Sequence, residues 1–189
     1  MHCTIKVYNG MVKKMSENRI DPTVPGLFMV AFITLIFGVL GILGFSENAE
    51  AGNMLTAAMA FAAIIGVIFV VFTVSAMKVG NAFASSLFIF VAVSLFAATV
   101  GVPDGNYILI MLVAVFYIVF ALIAFLVGAP KFLMILLFLV ALLYLFVGLS
   151  LNATDGKAFA LMYGIFGVLS ALLALYMAFA LSTQKLPVF

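Results

Sequence analysis

The chain reads as six long apolar runs separated by short polar interruptions. Each run is about 20 residues long, the length at which a helix crosses the hydrocarbon core of a bilayer. The runs predict helices at about Leu27–Phe45, Met54–Met77, Ala82–Val100, Tyr107–Val127, Phe132–Leu151 and Ala158–Leu181. None shows the alternation of apolar and polar residues that marks a membrane barrel strand. The interruptions carry turn chemistry, as in Gly101-Val-Pro-Asp-Gly-Asn106 and Gly128-Ala-Pro-Lys131. Pro25 and Pro130 stand where a proline starts a helix. The interruption at Met77–Phe88 organises the rest, because Lys78 is the only charge between Glu50 and Asp104. An unpaired lysine does not sit in hydrocarbon, Gly80 suits a reversal and Asn81 suits a helix N-cap. The second and third runs therefore form an antiparallel hairpin turning at a membrane surface.

Composition agrees with this pattern. Of 189 residues, 68% are hydrophobic and 7% charged, with mean hydropathy +1.44, which leaves too little polar surface to coat a soluble globule. The expected class is an all-α integral membrane protein with six transmembrane helices, in which residues 1–20 form a flexible tail and 21–189 the membrane domain. Met1–Arg19 is polar and mildly basic, with no apolar stretch of the kind a signal peptide needs. The net charge of +2 matters less than its placement. Lys6, Lys13, Lys14, Arg19, Lys78, Lys131 and Lys185 fall on one side of a six-span topology, seven of the eight cations. Lys157 falls on the other, with Glu47, Glu50, Asp104 and Asp155. The positive-inside rule then puts both termini and the Lys78 turn in the cytoplasm, as for a multi-pass protein of the cell membrane.

The spans contain no Asp, Glu, Lys, Arg or His. Such residues at membrane depth are the usual mark of an ion or proton relay. No nucleophile stands beside a base, no carboxylates pair and no glycine-rich phosphate loop is present, so an enzyme is not expected. Cys3 and His2 are peripheral, which leaves no set of metal ligands and no cofactor site, and nucleic acid is not a plausible partner. The polar groups at depth are the hydroxyls of Thr34, Thr56, Thr73, Ser75, Ser85, Ser86, Ser94, Thr99, Tyr117, Tyr144, Tyr163, Ser170 and Tyr176. Most such hydroxyls satisfy a carbonyl of their own helix. Gly38, Gly41 and Gly44 form a stripe on the first span that lets another helix approach closely.

Several stretches resemble the acetate uptake transporter family. Asp21-Pro-Thr-Val-Pro-Gly26 is similar to the Asn-Pro-Ala-Pro-Leu-Gly signature before its first span. Lys78-Val-Gly-Asn-Ala-Phe83, followed by Ser86 and Phe88, is similar to its Lys-Lys-Gly-Asn-Thr-Phe run. Gly164, Gly167, Ala174, Tyr176 and Ala178 match the spacing of its last helix, and Leu186-Pro-Val188 its C-terminal Leu-Pro-Ile. The resemblance covers residues 20–189 and implies a homohexamer of six-helix protomers, each with its own path for acetate and related monocarboxylates, succinate being a further candidate. The family narrows its path with a Phe, a Tyr and a Leu on spans one, three and five. These fall here on Val30, Val91 and Val140, each less bulky, with Phe28, Phe32, Phe90 or Tyr144 near enough to fill the gap. Its span-one asparagines fall on Gly38 and Gly41, and a carboxylate of span two on Ala76.

The expected function is a transporter or channel for acetate and similar small acids. Thr34, Asn81, Ser86 and Tyr176 are the candidate pathway donors, and Val30, Val91, Val140 and Ala174 the candidate apolar constriction. With no carboxylate in the membrane, any co-transported proton travels on the substrate. Two other readings compete: a structural membrane protein that transports nothing, and a channel for a neutral solute such as urea, water or ammonia. A transport path needs Thr34, Ser86 and Tyr176 to converge on one cavity, whereas a structural role lets them scatter.

Overall fold

The computed structural model describes residues 22–45, 51–102, 104–153 and 156–183, with only the backbone at 44–45 and 51–57. The expected tail at 1–20, the acidic Glu47 and Glu50, the Thr56 side chain and the C-terminal Leu-Pro-Val lie outside that set. Six helices follow one another: α1 Thr23–Phe45, α2 Ala51–Val79, α3 Ala82–Gly101, α4 Tyr107–Leu126, α5 Lys131–Asn152 and α6 Lys157–Thr183. All six are long and apolar enough to cross a membrane, and no strand occurs among the described residues. The protein is a multi-pass membrane protein of all-α class. Two helices begin a turn earlier than the apolar pattern suggests. In α1 the first intrahelical bond runs from Gly26 N–H to the Pro22 carbonyl at 2.9 Å. Pro25 thus sits inside the first turn, where its missing N–H removes no bond.

Three connections use one device. Gly80, Gly105 and Gly128 have φ of 83°, 65° and 70°, a left-handed backbone that only glycine adopts easily. At each, the glycine N–H reaches back to the third carbonyl before it, and the next N–H to the fifth. Asn81 N–H to the Ala76 carbonyl at 3.0 Å and Gly80 N–H to the Met77 carbonyl at 3.0 Å form one such pair. This is the Schellman closure of a helix. Asn81 and Asn106 then cap the next helix, accepting from Ala84 N–H at 3.0 Å and Leu109 N–H at 3.2 Å. A Gly-Asn pair ends one helix and starts the next in two consecutive residues, which holds α2 against α3.

The packing is uneven. The α1–α6 pair is the most intimate, α4–α5, α2–α3 and α5–α6 come next, and α1–α2 and α3–α4 touch sparsely. Glycines explain the first. A Cβ added to Gly167 would stand 2.6 Å from Gly38 Cα and 2.8 Å from the Thr34 carbonyl oxygen. One on Gly41 would lie 2.6 Å from both the Ala160 oxygen and the Gly164 nitrogen, and one on Gly38 2.8 Å from the Val168 nitrogen. The obstacles are backbone atoms, which cannot turn aside. Apolar helices gain no hydrophobic driving force from association within lipid, so close van der Waals approach at small residues holds them together. The stripe foreseen on α1 therefore does what its spacing suggests at Gly38 and Gly41, and its counterpart is Gly164 and Gly167 of α6.

Gly167→Ala is expected to destabilise the bundle by about 1–3 kcal/mol, the usual effect of overpacking. Gly80→Ala meets nothing within 4 Å, so its effect is limited to the left-handed backbone, about 1 kcal/mol. Thermal unfolding of the two variants in detergent checks the order; a larger loss for Gly80→Ala would contradict it.

Candidate functional site

Because α1 leans on α6, α2 on α3 and α4 on α5, the remaining faces of α1, α3 and α5 surround a space of their own. At one end it is a wide vestibule of about 860 Å³, lined by Thr23, Val24 and Leu27 of α1, Asn81 and the start of α3, and Ala129, Pro130 and Leu133 around the start of α5. Val127 and the last turns of α6, at Met177, Ala180 and Leu181, complete the wall. The N-termini of α1, α3 and α5 all open here. Each brings the partial positive charge of a helix N-terminus, roughly half an elementary charge. The Asn81 side-chain oxygen caps α3. Its amide nitrogen makes no protein hydrogen bond among the described residues, which leaves two donors at the vestibule surface.

The vestibule narrows into a neck of about 50 Å³. Leu27, Leu87, Phe88 and Leu133 line both and form the collar between them. Phe88 is held by Phe69 and Phe72 of α2, at ring distances of 5.8 and 6.0 Å, and by Gly26, where an added Cβ would lie 2.6 Å from the ring. Beyond the collar the neck is lined by Val30, Thr34 and Phe37 of α1, Val91 and Leu95 of α3, Tyr117 of α4 and Val140 and Tyr144 of α5. The α3 residues 84, 87, 88, 91 and 95 that face vestibule or neck follow helical spacing.

The expected site residues divide accordingly. Val30, Val91 and Val140 meet in the neck, Thr34 lines it, and Asn81 lines the vestibule. Ser86 lies on the far side of α3, in an apolar groove of about 490 Å³ between α3 and α4, where its hydroxyl donates to the Ala82 carbonyl at 3.0 Å. Tyr176 packs edge-on against Phe132 at 5.3 Å and lines neither vestibule nor neck. Ala174 is fully buried in α6, also away from both. Thr34, Ser86 and Tyr176 thus do not converge on one cavity, so the path expected through these three is not the one the structure offers, and any path has to run by Asn81, Thr34 and the three valines instead. Of the aromatics weighed as fillers for the small valines, Tyr144 reaches the neck, while Phe28 packs on Phe179 at 5.4 Å and Phe32 is half exposed.

A different set of hydroxyls does converge. Ser94 Oγ and the Tyr117 hydroxyl lie 2.9 Å apart, and the rings of Tyr117 and Tyr144 stack at 5.5 Å. All three residues are buried. Ser94 lies roughly 18 Å along α3 from its start, past the middle of a bilayer core. Sequence reasoning named these hydroxyls only among many. No spacing rule joins residues 94, 117 and 144, which sit on three helices. The other hydroxyls at depth behave as expected, bonding carbonyls of their own helix: Thr34 to Val30 at 2.8 Å, Thr73 to Phe69 at 2.9 Å and Ser170 to Phe166 at 2.7 Å.

No family model and no curated protein matches the sequence. Among solved structures, the bacterial acetate channel SatP superposes with a TM-score of 0.70, covering 90% of this chain and 99% of that one, at 18% identity. This chain has that channel's fold. At 18% identity the likeness concerns backbone, and the lining of this neck has to be read from its own side chains.

Asn81 has two roles that substitutions separate. Asn81→Ala removes the cap and is expected to lower stability by about 1 kcal/mol, whereas Asn81→Asp keeps the accepting oxygen and adds charge where the α3 dipole favours it. Thermal unfolding should therefore place Asn81→Asp at or above the parent and Asn81→Ala below it.

Proposed function

We propose that this protein passes acetate and similarly small monocarboxylates across the cell membrane, by a path inside each protomer from the vestibule through the neck. The observation that carries this reading is continuity: a donor-lined vestibule at three helix N-termini opens through a collar onto a narrow apolar neck made by the same three helices. The fold shared with an acetate channel supports the substrate class. The distribution of cations supports a cytoplasmic vestibule, since Asn81 and Pro130 adjoin Lys78 and Lys131 in the turns that the positive-inside rule assigns to that side. The path would run in a homohexamer, the assembly that the family resemblance implies.

Size bounds the cargo. A cavity needs about 10–15 Å³ of this kind of volume to hold a water. The neck of about 50 Å³ therefore has room for a small solute only, which favours a short acid such as acetate. Succinate, about twice as large, needs the neck to widen. Charge bounds the form in which cargo passes. The charged residues of the described chain are Lys78, Asp104, Lys131 and Lys157, all at helix ends or in turns. An anion in the dry neck has no counter-charge and loses its hydration at high cost. Protonation to the neutral acid removes that barrier, and the proton then travels with the substrate.

Acetate uptake into proteoliposomes of the purified full chain tests the reading. Uptake well above that of empty vesicles is expected, and uptake no faster than theirs would sink it. Val91→Phe adds about four heavy atoms to the neck, on the order of its whole volume. It should cut flux at least tenfold while leaving a folded protein. Asn81→Asp places a negative charge in the vestibule and should slow uptake at neutral pH despite its intact cap.

A further inference from the structure

Phe88 stands where vestibule and neck meet, since its side chain lines both. It also bridges a gap. Helices α1 and α3 make few direct contacts with each other, and the far edge of the Phe88 ring fills the place that a side chain on Gly26, near the start of α1, would need. A Cβ at position 26 would stand 2.6 Å from Cε1 and 2.7 Å from Cζ of that ring, yet 3.6 Å from Cδ1, an ordinary contact distance. Two further rings limit where Phe88 can go. Phe69 and Phe72 of α2 pack against it at centroid distances of 5.8 and 6.0 Å, and they lie edge-on to each other, with Phe69 fully buried. Helix α1 is equally fixed, because Gly38 and Gly41 hold its backbone against α6. The open space beside the ring is the passage that it lines.

We infer that Phe88 sets the aperture of the path and that Gly26 is the positioning residue that keeps its ring drawn aside. This deepens, and rests on, the transport reading given above. Any side chain at position 26 displaces the ring edge, and the space into which the ring swings is the collar. The other members of the collar are Leu27, Leu87 and Leu133, all apolar, so width at the ring decides which small acids enter. A leucine at position 88 lacks Cε1 and Cζ, the two atoms nearest position 26. One change therefore widens the collar and also removes the conflict with a side chain on residue 26.

Uptake of acetate and of propionate, longer by one methylene, into proteoliposomes of the purified full chain tests the assignment. Phe88→Leu should raise the propionate-to-acetate rate ratio about tenfold, the scale on which an apolar site discriminates by a methylene. Gly26→Ala should cut acetate uptake about tenfold, and Gly26→Ala/Phe88→Leu should bring it back to within about threefold of the parent, a rescue of the size that residues in contact show. The ratio separates an aperture from packing alone, because relief of a packing clash restores rate without changing selectivity. Where Gly26→Ala does not fold, a folded and transporting double variant supports the contact, and the ratio in Phe88→Leu is read independently of it. An unchanged ratio in Phe88→Leu, or a double variant no better than Gly26→Ala, would overturn the assignment while leaving acetate transport standing. Parent uptake no faster than that of empty vesicles would remove the transport reading, and the aperture with it.

Discussion

The backbone contact between α1 and α6 is the constraint from which the rest follows. Gly38, Gly41, Gly164 and Gly167 bring the helix axes close enough for main-chain atoms of one to touch those of the other. Since α6 also packs on α5, it ties α1 to α5 from outside and fixes the distance between their inner faces. The neck exists because that distance is set by glycines on the outer side and by Val30 and Val140 on the inner side. Bulk at the glycines would move α1 relative to α5, and bulk at the valines would close the space between them. Helix α1 thus carries two opposite demands, contact with α6 behind and clearance in front, met by small residues placed on different faces.

Much of the fold could be read directly from sequence, and for physical reasons. Span length is set by bilayer thickness, so six apolar runs of about 20 residues give six helices. Gly80-Asn81 could be read as a reversal and a cap because those two residue types perform those two tasks whatever surrounds them. The path was less accessible. Val30, Val91 and Val140, the positions at which the family resemblance puts a constriction, lie together on the lining of the neck. Ser86 and Tyr176 were drawn from the same resemblance but belong to other faces, because which side of a wholly apolar helix turns inward leaves almost no trace in composition. A soluble helix advertises its core face by its polar residues; here both faces are apolar, and only packing against neighbours decides. Ser94, Tyr117 and Tyr144 are brought together by three helices, a juxtaposition invisible to any local rule.

Hydroxyls in this bundle fall into two populations with different consequences. Thr34, Thr73, Thr99 and Ser170 bond carbonyls of their own helices and leave no group seeking a partner. Their effect is to let a polar residue stand in hydrocarbon at little cost. Ser94 does this too, toward Val91, and in doing so it becomes an acceptor for Tyr117. One back-bond along α3 thus sets the proton direction of the Ser94–Tyr117 contact.

Vestibule and neck therefore ask different things of the same solute. Three helix N-termini and the Asn81 amide attract negative charge, which raises the local concentration of a carboxylate at the collar. Past Phe88 and Leu133 the neck is lined almost wholly by apolar side chains, and the Thr34 hydroxyl there is bonded to its own helix. A group that stays charged gains from the first region and loses in the second. A group that cannot be charged passes the second but is not gathered by the first. A weak acid has access to both forms and can change between them at the collar, where bulk water reaches through the vestibule. On the transport reading proposed above, the discriminating step falls at the ring of Leu27, Leu87, Phe88 and Leu133, where the vestibule gives way to the apolar neck.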